Sequence, residues 1–222
     1  MPKQNTKSNI AAFFDFDETL LAIDSAGVGF KLLKKEGYIS NFFMLKMIIV
    51  MLLLKIGLID EEVLARAMLR FYKGRTLQPF IDSADAFYLE YLKPNLSPSV
   101  LERLKWHQQE GHQTGLVTGS IDYYLEPVMK DLGLDHLLCT HLEMGADGLL
   151  TRRSDGPVCV GNNKVTLSAK LANAEGIDLA HSYAYGNSHL DIPIMEKVEH
   201  AFMVNPSSRL ARFGKRMGWA LL

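Results

Sequence analysis

The chain has 222 residues, 48% of them hydrophobic and 22% charged, with a formal net charge of -1. This composition suits one large globular domain, or one plus an insertion, and excludes a disordered chain. The near-zero charge offers no general surface for nucleic acid, and the two cysteines, Cys139 and Cys159, allow no zinc-type spacing and read as reduced thiols of a cytoplasmic protein.

Met1 to Asn9 is polar, with Lys3 and Lys7 and no long apolar run behind it. It reads as a loose tail, neither signal peptide nor anchor. Ile10 to Phe16 is strand one, an apolar run that empties into Asp15 and Asp17. From about Leu21 to Leu92 the pattern turns helical. Within it, Asn41 to Asp60 is apolar between Phe42 and Ile59 except at Lys46, Lys55 and Gly57. A spanning helix needs ~20 mainly apolar residues, so membrane contact through 42–59 is the lesser expectation. One or two buried helices of an insertion, or an oligomer contact, fit better. The oligomeric state itself is not legible. Asp60-Glu61-Glu62 reads as an acidic cap on an amphipathic helix ending near Gly74. Gln78 to Tyr91 is another helix, ended by Lys93-Pro94.

Ser97-Pro98-Ser99 opens a helix running to Gly111. His112 to Thr118 is a strand and Ser120 to Leu132 a helix containing Pro127. Leu137 to Glu143 is strand-like, and Ala146-Asp147-Gly148 turns a hairpin into Leu149-Leu150. Asn163 to Glu175 is a helix closed by Gly176. Ser182 to Tyr185 is a strand, Ile192 to Val198 a short helix and Ala201 to Val204 a strand. Alternating strand and helix from Gly111 onward predicts a parallel sheet covered on both faces, an α/β fold.

Asp15 and Asp17 at a strand's carboxyl end need a reason, because unpaired buried carboxylates are costly. A hard cation supplies one: Mg²⁺ takes oxygen ligands and keeps several waters. The bland alternative is a solvated acidic loop capping the next helix.

Three later segments favour chemistry: Gly115-Leu116-Val117-Thr118-Gly119-Ser120, Gly161-Asn162-Asn163-Lys164, and Tyr185-Gly186-Asn187-Ser188-His189-Leu190-Asp191. Each alone is weak. In this order and spacing, the four segments resemble the haloacid dehalogenase superfamily, most nearly its phosphoserine-phosphatase-like branch, from about Ile10 to Val204. The resemblance implies a Rossmann-like catalytic core, residues 1–20 and 95–222, with a helical cap inserted at 21–94. It also implies a Mg²⁺-dependent phosphomonoester hydrolase acting on a small phosphorylated metabolite.

On that resemblance Asp15 is the nucleophile that forms an aspartyl-phosphate, and Asp17 is the general acid and base. Thr118 holds a phosphoryl oxygen. Gly119 and the N–H groups of Gly119 and Ser120 bind phosphate at a helix N-terminus. Lys164 neutralises the phosphate and the attacking carboxylate. A plain solvated lysine there would oppose the helix dipole, and Lys170 is the lesser substitute. Mg²⁺ falls to Asp15, the Asp17 carbonyl, Asn187 and Asp191.

Several positions depart from the family pattern. Glu18 stands where glycine is common, Asn187 stands where an acid is typical, which lowers the charge available to a metal, and His189 and Leu190 are also unusual. Asp24 occupies the place of a substrate-binding Glu, and Arg66, Arg70 and Arg75 are candidates for a substrate-binding Arg in the cap. Two alternatives stay open: a membrane-associated lipid-phosphate phosphatase, and a phosphate-binding protein impaired by Asn187.

Overall fold

The computed structural model describes residues 8–56 and 58–222, together with no side chain at Lys55. The expected loose tail lies outside the described residues as far as residue 7. Ser8 and Asn9 are tied down: Ser8 O accepts from Gln113 Nε2 at 2.9 Å, and Asn9 O from Asp178 N–H at 2.7 Å.

Strand β1 spans Ala11–Phe14, shorter than expected, and all four residues are buried. The following segment is helical: α1 (Ser25–Lys35), α2 (Asn41–Lys55), α3 (Glu61–Leu69) and α4 (Gln78–Phe87). Ser40 and Asp60 accept the N–H groups of Phe43 and Val63, capping α2 and α3. The segment leaves and rejoins the fold at one place. Ala22 N–H donates to Asn95 O at 2.8 Å, and Ser97 N–H to Leu20 O at 2.9 Å.

Thereafter come α5 (Pro98–Gln109), β2 (Gln113–Ile121), α6 (Glu126–Leu132), β3 (His136–Met144), β4 (Leu150–Asp155) and α7 (Asn162–Glu175). The chain closes with β5 (Tyr183–Gly186), α8 (Ile192–Met195), β6 (His200–Met203), α9 (Ser208–Met217) and β7 (Ala220–Leu221). The sheet order is β4-β3-β2-β1-β5-β6-β7, parallel except for the β3–β4 hairpin. Strand order runs outward in both directions from β1, so its carboxyl end is the switch point where ligands bind in such sheets.

Both faces of β1 are covered, which explains its unbroken apolar run. Ala12 and Phe14 pack with Leu104 of α5 and Val128 of α6. Ala11 and Phe13 pack with Ala172 of α7 and Ile194 of α8. A separate cluster joins the helical segment to the hairpin through Leu69, Phe71, Tyr72, Phe80 and Leu150. Backbone bonds of 2.8 Å from Gly74 N–H to Leu150 O and from Leu150 N–H to Arg75 O reinforce that seam.

Two expectations need correction. The helix expected from Ser120 begins at Glu126, because residues 118–121 stay extended and Pro127 suits a first turn. The apolar segment at 42–59 is not a buried helix: Phe42, Leu45, Ile48 and Leu52 of α2 are each more than half exposed. Among the described residues no helix is long and apolar enough to cross a membrane. At ~1.5 Å per residue α2 is about 22 Å long, against a ~30 Å hydrocarbon core.

Candidate active site

Three parallel strands end side by side and deliver the polar residues. Asp15 follows β1, and its N–H donates to Tyr185 O of β5 at 2.9 Å. The chain then turns tightly, with Leu20 N–H and Leu21 N–H donating to Asp15 O and Phe16 O at 3.2 and 2.8 Å. Inside this turn Glu18 adopts φ 57°, ψ 10°, a left-handed conformation costly for a residue with a Cβ. Its carboxylate is anchored: Oε2 accepts from Asn187 Nδ2 at 2.9 Å.

Lys164 lies in the first turn of α7 and is buried. Its Nζ donates to Asp15 Oδ1 at 2.7 Å and to Asp191 Oδ1 at 2.5 Å. Asp191 Oδ2 accepts the N–H groups of Asn187 and Ser188 at 3.1 and 2.9 Å. Gly186 permits this approach, since a Cβ there would stand 2.5 Å from Asp191 Cβ. Lys170, by contrast, is exposed.

Asp17 is gripped by different partners. Its Oδ2 accepts from Ser120 Oγ at 2.6 Å and its Oδ1 from Ser25 N–H at 2.6 Å. The Ser25 hydroxyl shares a 3.2 Å hydrogen bond with Tyr124 OH. Thr118 is buried in the second half of β2, and its Oγ1 accepts from Ser120 N–H at 3.1 Å. The β2–β3 register shifts between Val117 and Ile121, where Gly119 lies 2.9 Å, by its would-be Cβ, from Val160 Cγ1. The N–H groups of Gly119 and Ser120 therefore lie on a bulged strand end and not at a helix N-terminus.

Burial dominates the electrostatics. It pushes the Asp15 carboxyl up to about 7, with Lys164 opposing and Asp191 adding to the rise. It also raises Asp17, against the hydrogen bonds from Ser120 and Ser25. Burial alone would lower Lys164, but Asp15 and Asp191 outweigh it and hold the ammonium well above its usual value.

A cavity of about 460 Å³ opens above these groups, lined by Asp15, Asp17, Thr118, Gly119, Lys164 and Asn187 among others. Asp24 also lines it, whereas Arg66, Arg70 and Arg75 do not. Arg66 pairs with Glu62 at 2.6 Å on the outside, and Arg70 is exposed. Arg75 donates to Phe71 O and Tyr38 O at 2.9 and 3.1 Å. His189 Nε2 lies 2.9 Å from Glu61 Oε1 of α3, tying the loop after β5 to the helical segment. Sequence reasoning missed Ser25, Tyr124 and Glu61. Their polar contacts cross long chain separations, so no local motif marks them.

Among the described residues no group of three or more His, Cys, Asp or Glu could hold a metal ion. A mixed set of oxygen-bearing residues does line the cavity: Asp15, Asp17 and Asn187, whose NH₂ is turned to Glu18 and leaves its carbonyl oxygen as a donor for a cation. Asp15 and Asp191 share Lys164 as their cation, and Asp17 and Glu18 add two further acids to the cavity lining. Few protein oxygens, excess negative charge and room for water suit Mg²⁺ better than a soft metal.

A model of the haloacid dehalogenase-like hydrolase family matches residues 12–196. A phosphoserine phosphatase of Mycobacterium tuberculosis is 28% identical over 215 residues, 95% of this chain and 70% of that protein. The inhibition of morphological differentiation protein of Streptomyces azureus is 27% identical over 217 residues, covering 96% of this chain and 77% of that one. Among solved structures, a protein of unknown function from Bordetella pertussis superposes with a TM-score of 0.86 at 25% identity, over 97% of this chain and 99% of that one.

Proposed function

The chain belongs to the haloacid dehalogenase-like hydrolases, and from that premise we propose that it is a Mg²⁺-dependent phosphomonoesterase working through an aspartyl-phosphate on Asp15. One observation carries the reading: Asp15 is largely enclosed just after β1 and lines a cavity, with Lys164 Nζ 2.7 Å from its Oδ1. A carboxylate so placed is short of positive charge, which a phosphate-bound cation supplies. Bound Mg²⁺ would neutralise phosphate charge and align the phosphorus with Asp15. The relatives include proteins named phosphatases, which supports the reaction class.

The steps balance with this chain's groups. A carboxylate oxygen of Asp15 attacks phosphorus, and the bond to the leaving oxygen breaks. Asp17, whose carboxyl pKa burial raises, gives that oxygen its proton. Asp17 then takes a proton from water as the water attacks the phosphorus, releasing inorganic phosphate and restoring Asp15. Ser25 and Ser120 hold Asp17 in position, and Lys164 counters the charge that develops. Residues 21–94 serve as a cap over the core formed by 1–20 and 95–222, excluding water when closed.

The test is a phosphatase assay over a panel of phosphorylated metabolites with and without Mg²⁺, followed by acid-quench trapping of labelled phosphate. Mg²⁺-dependent release, with label on Asp15 and none on Asp15→Asn, is the expected result. Absence of turnover with every substrate would instead support the binding protein impaired at Asn187.

The exposed apolar residues of α2 favour a second reading, an enzyme that works on phosphorylated lipid at a membrane surface. Co-sedimentation with phospholipid vesicles separates the two.

A further inference from the structure

The upper cavity wall is unlike its floor. Phe30, Leu33, Leu64, Met68 and Tyr72, from α1, α3 and the turn after α3, face the catalytic residues with apolar surface. Among the described residues, the charged groups in the lining are Asp15, Asp17, Glu18, Asp24 and Glu61, with Lys164 as the single cation. Lys164 is already committed to Asp15 and Asp191. An anionic leaving group would therefore lose its hydration to an apolar wall with acids at its rim and no partner.

The neutral polar groups are few and turn largely to one another, each hydroxyl pair keeping one proton to donate. Tyr72 OH and Tyr123 OH share a 3.1 Å hydrogen bond, Ser25 Oγ meets Tyr124 OH at 3.2 Å, and Thr140 Oγ1 donates to Gly119 O at 2.9 Å. A polyhydroxylated leaving group would exchange many hydrogen bonds to water for few to the wall. About 460 Å³ is far more than phosphate needs and lies within the range of organic-ligand sites.

We propose that this cavity selects phosphomonoesters whose leaving alcohol is apolar and carries no anionic group, and that it discriminates against phosphoserine. The proposal rests on the phosphomonoesterase reading for its catalytic consequence. The selectivity of the cavity can be measured without turnover.

Alkylphosphonates keep the phosphoryl group and cannot lose the chain by hydrolysis at a P–O–C bond. The full-length protein with Mg²⁺ is titrated calorimetrically with ethyl-, butyl- and hexylphosphonate, the phosphonate analogue of phosphoserine, and 6-aminohexylphosphonate. Kd should fall about fourfold per methylene, the equivalent of ~0.8 kcal/mol per buried CH₂. The phosphoserine analogue should bind on the order of 100-fold more weakly than hexylphosphonate. Met68→Ala should shrink the hexyl-to-ethyl ratio. Chain-length dependence without hydrolysis of the matching alkyl phosphates would keep the selectivity and reject the phosphomonoesterase reading. A flat series, equal binding of the phosphoserine analogue, or preference for the aminohexyl compound would overturn the proposal.

Discussion

Asn187 Nδ2 donates to Glu18 Oε2 at 2.9 Å, joining two positions at which this sequence departs from the motifs it resembles. Glu18 holds a left-handed conformation, φ 57°, in the turn after Asp15, and the amide of Asn187 supplies its carboxylate with a neutral donor. The two departures are thus one local arrangement. An acid at 187 would set two carboxylates face to face.

Asn187→Asp should therefore destabilise the metal-free protein by about 1–2 kcal/mol, through the lost hydrogen bond and the added repulsion. Glu18→Gln in the same chain should recover most of it. With metal the sign reverses, since added charge strengthens a hard-ion site. Thermal unfolding in chelator and in excess Mg²⁺, with a Mg²⁺ titration of the rate, checks both arms. Identical half-saturating Mg²⁺ for the two proteins would remove Asn187 from the metal site.

Asp15 links stability to pH. Its carboxyl is pushed to about 7 in the fold from an ordinary 3.8. Below about 4 it is protonated in both folded and unfolded chains, and its contribution is fully present. As pH rises through 7 the folded chain must hold an ionised, buried carboxylate, and that contribution is lost. Asp15→Asn should abolish turnover yet stabilise the metal-free protein at pH 8, on the order of 1–4 kcal/mol. Urea denaturation at pH 4 and pH 8 in chelator measures it. Equal stability of the two proteins at pH 8 would contradict the assignment.

Lys164 bridges two acids at 2.7 and 2.5 Å. Lys164→Met leaves Asp15 and Asp191 buried without their cation, and breaking such a pair costs ~3–5 kcal/mol. The variant should be strongly destabilised at pH 8 and partly rescued at pH 5, where Asp15 is protonated. Denaturant midpoints at the two pH values decide this. A pH-independent loss would show that packing, not charge, is what Lys164 supplies.

A second titration lies away from the site. His107 is buried in α5, with Nδ1 2.9 Å from His112 Nδ1 and Nε2 2.9 Å from Tyr185 OH. Burial first, then His112 and Arg103, drives its pKa from 6.5 to about 3. Between those values the unfolded chain binds a proton that the fold refuses, so stability is present above 6.5 and falls as pH drops. At pH 5 the loss should be about 2 kcal/mol. His107→Gln should flatten stability between pH 7 and pH 5, and a slope unchanged by the substitution would place the acid sensitivity elsewhere.

Periodicity and punctuation in the sequence determined the α/β alternation and the parallel sheet, because a strand buried on both faces must be apolar, and the order of the four motifs around Asp15, Thr118, Lys164 and Asp191 carried the resemblance to the family. The same local signals misplaced the helix after Thr118, since the pattern from Ser120 does not reveal a strand that bulges before Pro127 turns it. They carried no sign of α9 and β7 at the chain's end. The exposure of α2 was hidden as well, because an all-round apolar helix reads the same whether buried or not. Only the tertiary structure decided which groups meet: Ser25 and Ser120 on Asp17, Glu61 on His189, Glu18 on Asn187, and no arginine in the cavity. These contacts join residues up to 169 positions apart, and a distance in space between such residues is set by how the sheet and helices pack, which no window of sequence contains.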